Sequence, residues 1–136
     1  MTASVFCVGP ENIASLWPQV EPLITAALRG RPTHDAEDLY RLLMGRHCHL
    51  WIQWNSPDVE AIVISEFMAY PKGVWVNAWL AGARRDRPMD DGAFLAALRD
   101  WALSHRCQGF EAIGRPGWLK WFPGAKVDGL IMRVGL

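Results

Sequence analysis

The chain is 136 residues long, 51% hydrophobic and 21% charged, which excludes a second large core and a disordered regulator and leaves one domain over residues 1–136. Fourteen basic residues balance fourteen acidic ones, so no overall positive field draws it to nucleic acid or an anionic membrane. No apolar run nears the roughly 20 residues a bilayer demands, and no basic flank precedes an apolar leader, so the expected location is the cytoplasm.

Residues 4–8 form a short apolar run closed by Gly9-Pro10, which reads as a strand and turn. With Asn12 as cap, Ile13, Leu16, Trp17, Val20, Leu23, Ile24, Ala27 and Leu28 recur at helical spacing, while Pro18 and Pro22 imply a kink or two short helices. Thr33-His34-Asp35 caps a second helix that carries Leu39, Leu42 and Leu43 inward and stops at Gly45. Residues 49–54, 59–70 and 73–80 are rich in β-branched and aromatic types and are parted by turn residues, the pattern of a three-stranded antiparallel meander. Pro88 then opens a helix bearing Phe94, Leu95, Leu98, Trp101, Ala102 and His105 to about Arg106. A strand at 110–113, a short helix at 116–122 and a strand at 130–134 complete the order β-α-α-β-β-β-α-β-α-β. That order is α/β (α+β), with a mixed central sheet covered on both faces.

Three constellations carry candidate chemistry. Cys7, Cys48 and Cys107 are widely spaced, odd in number and lack any C-x-x-C, which suits buried thiols rather than a disulfide frame or a zinc site. His47 and His49 share a strand face at metal-binding spacing without a third ligand, so no metal is expected. Glu66 and Glu111 lie in strand-like segments, where each is either a base for amine deprotonation or the partner of Arg115 or another basic residue. Eight tryptophans are many for a globule this size, and some belong at an interface or pocket.

The element order, together with Trp75-Val76-Asn77-Ala78-Trp79-Leu80-Ala81-Gly82, Trp101-Ala102-Leu103-Ser104-His105-Arg106-Cys107 and Phe110-Glu111-Ala112-Ile113-Gly114-Arg115-Pro116-Gly117-Trp118, resembles the GNAT N-acetyltransferases. Within them it is similar to small phage and prophage proteins with degenerate motifs, whose late strand runs into a Gly-Arg-x-Gly-Trp turn. The resemblance implies that the strands near 74–80 and 110–113 run parallel, are joined by the helix containing Trp101, and splay to open a cofactor cleft.

Active members bind the coenzyme A pyrophosphate with a Gln/Arg-x-x-Gly-x-Gly/Ala loop before a helix N-terminus. Here Arg84-Arg85-Asp86-Arg87-Pro88-Met89 puts Arg87 and Met89 at the glycine positions, Pro88 lacks an amide donor, and Asp90 and Asp91 oppose a phosphate. Arg84, Arg85 and Arg87 remain as the candidate cofactor-binding residues, able to clamp a pyrophosphate through their side chains. The family's general-acid tyrosine has no counterpart in Arg115-Pro116-Gly117-Trp118-Leu119-Lys120-Trp121-Phe122, and the two tyrosines, Tyr40 and Tyr70, lie elsewhere. Arg115, Trp118 and Trp121 become candidate interaction residues on a rigid projecting turn.

These readings lead to a phage-type, non-catalytic GNAT-like protein with no cofactor. It would act through a protein partner or self-association, in virion assembly or as a virion component, with a weak or absent acetyl-CoA site. The alternative is a divergent acetyl-CoA-dependent N-acyltransferase, so enzyme status stays open at this level.

Overall fold

The computed structural model describes residues 4–114 and 124–136. Its elements are β1 (Ser4–Val8), α1 (Pro10–Leu28), α2 (Ala36–Met44), β2 (His49–Asn55), β3 (Asp58–Tyr70), β4 (Gly73–Ala83), α3 (Asp91–Ser104) and β5 (Gly109–Ala112). The sheet order is β1-β2-β3-β4-β5, antiparallel through β4 and parallel between β4 and β5. The mixed sheet and its parallel crossover through α3 are as expected from the sequence.

Four local expectations need correction. Pro10 sits at the first helical position of α1 behind Gly9, so the helix starts before Asn12. That helix is one element with Pro18 and Pro22 inside it, not two short helices, because its apolar stripe stays fixed to the sheet through Val20, Leu23 and Ile24. The third helix begins after Asp90, whose side chain accepts from the Ala93 amide at 3.0 Å, and Pro88 lies in the preceding loop. Residues 130–134 form no strand; apolar side chains there are exposed, Leu130 at 83% and Met132 at 86%. The expected helix at 116–122 lies outside the described residues.

The helices divide between the two faces of the sheet. Against one, α1 and α2 bury Val20, Ile24, Leu28, Leu39 and Leu43 on Leu50, Ile52, Ile62, Ile64 and Leu80. On the other, α3 sets Phe94, Leu98 and Ala102 on Trp51, Val63, Val76 and Ala78. Asp35 and Asp38 form a reciprocal capping box that fixes the start of α2. Gln19 of α1 ties down the β2–β3 turn, donating to the Pro57 carbonyl at 2.9 Å and accepting from the Val59 amide at 2.8 Å. Helix α1 also approaches β4 very closely: a Cβ on Gly82 would lie 2.9 Å from the Leu23 carbonyl oxygen.

Candidate active site at the parting of two strands

Only the first part of β4 is paired with β5, from Trp75↔Gly109 to Ala78↔Ala112, after which the Ile113 amide donates to the Ala78 carbonyl at 3.2 Å. Beyond that point β4 continues to Ala83 with β3 alone beside it. The register with β3 slips there: Ser65 faces Ala78 and Ile64 faces Leu80, leaving Trp79 as an extra residue. Such a bulge turns successive side chains to the same face, and Trp79 and Leu80 accordingly both join the α1–α2 core. The Arg84 amide donates to the Glu60 carbonyl on the β3 side at 2.9 Å. By strand alternation the peptide groups of Ala83 and Ala81 face the side that β5 has left.

A cavity of about 620 Å³ fills this fork. Its walls are Leu23 and Ala27 of α1, Trp79, Ala81 and Ala83 of β4, Met89, and Phe94, Leu95 and Leu98 of α3, with Ile113 and Gly114 at the end of β5. The lining is mostly apolar, with Arg31 and Asp91 as its charged members besides Arg29 at the α1 end. Arg31 lies 6.0 Å from the Trp79 ring centroid and donates from Nη1 to the Trp79 carbonyl at 3.4 Å. Burial, and secondarily the charge of Arg133, lower its pKa.

The three arginines singled out in the sequence stand outside this lining. Arg87 donates from Nη1 to Glu60 Oε2 at 2.6 Å and lies 3.8 Å from Asp58, while Arg84 approaches Asp86 at 3.3 Å and Asp58 at 3.8 Å. Arg85 is exposed. Glu60 is only 5% exposed, and hydrogen bonds from Gln53 and then Arg87 hold its carboxyl below the usual range. Buried Gln53 completes the clasp: Nε2 donates to the Pro88 carbonyl at 3.0 Å, and Oε1 accepts from the Asp90 amide at 2.7 Å. The β4–α3 loop is thus fixed by the chain's own carboxylates and amides. Arg115, Trp118 and Trp121 lie outside the described residues.

Just before the fork, Glu66, Asn77 and Glu111 stand in one row across β3, β4 and β5. Asn77 Nδ2 donates to Glu66 Oε1 at 3.4 Å, and the Tyr70 hydroxyl donates to Glu111 Oε1 at 2.6 Å. Among the described residues neither carboxylate forms an ion pair, and Arg115, the partner expected first, lies outside them. The sequence reading passed over Asn77, although an amide amid the apolar run of β4 was a visible signal.

The remaining candidates are structural. His49 is packed against Phe67 and Trp101, and His47 precedes the strand. No metal-binding group of three His, Cys, Asp or Glu gathers among the described residues. Burial raises the Cys7 thiol to about 11; Cys48 is raised to the same level by burial, then by the charge of Glu66. Both are poor nucleophiles near neutral pH.

No protein-family model and no curated protein matches the sequence. Solved structures do. An aminoglycoside acetyltransferase from an uncultured soil metagenomic sample matches over 99% of this chain and 97% of its own, with a TM-score of 0.76 at 8% identity. A ribosomal-protein-alanine N-acetyltransferase from Brucella melitensis biovar Abortus matches over 98% and 99%, with a TM-score of 0.74 at 13% identity. A GNAT family acetyltransferase from Staphylococcus aureus matches over 98% and 100%, with a TM-score of 0.70 at 11% identity.

The fold is that of the GNAT acetyltransferases. At these identities the GNAT likeness concerns architecture, and the function must be argued from the fork and the row of polar residues beside it. No helix among the described residues is long and apolar enough to cross a membrane.

Proposed function

We propose that this chain is a divergent N-acyltransferase that receives the acyl-pantetheine arm of an acyl-coenzyme A in the β4–β5 fork and passes the acyl group to an amine. The carrying observation is the fork itself: an apolar cavity of about 620 Å³ beside a bulged strand, within the usual range for small-molecule sites. The bound thioester supplies an activated carbonyl. Ala81 and Ala83 offer backbone groups to the amides of the arm, and Leu95, Leu98 and Phe94 exclude water around it. Glu111, one rung short of the last β4–β5 pair, is placed to take the proton of the attacking amine, and coenzyme A leaves as its thiolate, to be protonated by solvent.

The diphosphate end fits less well. Asp90 occupies the α3 N-terminus with its own carboxylate, and Arg84 and Arg87 are engaged by acidic neighbours. Affinity for acetyl-CoA is therefore expected to be weaker than micromolar. Calorimetric titration should show saturable but modest binding to the intact chain and none to Ala83→Trp, whose indole would fill the fork. No binding to the intact chain at millimolar acetyl-CoA would overturn the reading.

A second reading, a non-catalytic role through protein contacts such as those of a virion component, is favoured by the exposed apolar residues Leu130, Ile131, Met132 and Val134. The same titration separates the two, since a purely adhesive domain has no need of the fork.

A further inference from the structure

The row beside the fork is rich in acceptors and poor in donors and positive charge. Glu66 and Glu111 are both partly buried, and among the described residues no basic side chain pairs with either. Asn77 between them is 5% exposed, and its Oδ1 is buried with no hydrogen-bond donor. Asn77 Nδ2 is committed to Glu66 on β3, and Glu111 of β5 is the cross-strand partner on its other side. Among the described residues, the side-chain donors to the row are that amide and the Tyr70 hydroxyl. Two partly desolvated carboxylates and an orphaned amide oxygen are costly unless a cation joins them.

We infer that this row is a subsite for an acceptor carrying two amino groups. Glu66 and Asn77 Oδ1 hold one as a non-reacting ammonium, while the other is presented beside Glu111 at the fork. Strand spacing puts the Glu66 and Glu111 Cα atoms about 10 Å apart, a span that a short diamine can bridge between the two carboxylates. An ammonium group matches the site better than a guanidinium, since donors on one small centre can serve both Glu66 and Asn77 Oδ1. The inference rests on the acyl-transfer reading for the fate of the second amine, but the subsite itself needs no acyl donor.

The test is binding of 1,4-diaminobutane to the full chain without acyl donor, with n-butylamine as the single-amine control, followed by titration calorimetry and by the Asn77 side-chain amide resonances. The diamine should bind at least about tenfold more tightly than the monoamine, the worth of one charge-assisted hydrogen-bonded contact. Glu66→Gln, an isosteric change, should erase that preference. Glu111→Gln should weaken both amines alike. Equal affinity for the two amines, or a preference that survives Glu66→Gln, would overturn the inference. Acetyl-CoA binding measured on the same samples keeps the ideas apart: diamine selectivity without acetyl-CoA binding removes the acyl-transfer reading alone, and the converse removes only the subsite.

Discussion

His49 begins β2 with its ring 5.3 Å from that of Phe67 and 5.2 Å from that of Trp101, a place an aliphatic or aromatic side chain would fill as well. Burial, and then the neighbouring charge of His105, lower its pKa from the ordinary 6.5. Below that value the unfolded chain takes up the proton more readily than the folded one. The contribution of His49 to stability is therefore complete above about pH 6.5 and is lost as the pH falls toward its lower folded value. Thermal melts between neutral and mildly acid pH should show this slope, and His49→Phe should flatten it. Sequence alone placed His49 in a strand but could not show that Phe67 and Trp101 enclose it. Nor could it show that Tyr70, remote in sequence from Glu111, supplies that carboxylate's hydrogen bond: pairings across 41 positions are properties of the register.

At the scale of elements, the approach of α1 to β4 depends on a missing side chain. Gly82→Ala would put a Cβ 2.9 Å from the Leu23 carbonyl oxygen and 3.3 Å from the Ala27 Cβ, both on a helix held by its own core. The helix must shift to admit it, at a cost of about 1–3 kcal/mol. Urea denaturation of the variant should report a loss of that size. The first eight elements were legible in the sequence because each has its own periodicity and punctuation. What was not legible is how far β4 outruns β5: its residues 81–83 look like a polar-loop approach, and only the pairing with Ala61 and its neighbours makes them strand. Residues 130–134 show the reverse failure. Their composition favours extended structure, yet a strand needs a paired edge, and propensity does not supply one. In α1, two prolines argued locally for a break, and the continuous buried stripe overrode them.

Taken whole, the molecule is one sheet with a core on each face, and β2, β3 and β4 contribute side chains to both. Neither core can be lost while the shared strands remain ordered. Ile24→Ala on the α1 face and Phe94→Ala on the α3 face should each destabilise by about 2–5 kcal/mol. Both should lower the same unfolding transition, with far-ultraviolet and near-ultraviolet circular dichroism giving one midpoint. Two separate transitions would mean that the faces fold independently. The fork adds an asymmetry to this cooperative body. One wall, β4, is laddered to β3 from Ala61 to Tyr70, whereas β5 is a four-residue edge strand. A guest in the cavity rests against one stiff wall and one that opens by local unfolding far more readily. Binding must quiet that breathing, and the entropy so lost weakens the grip on any guest, however well its shape matches the cavity.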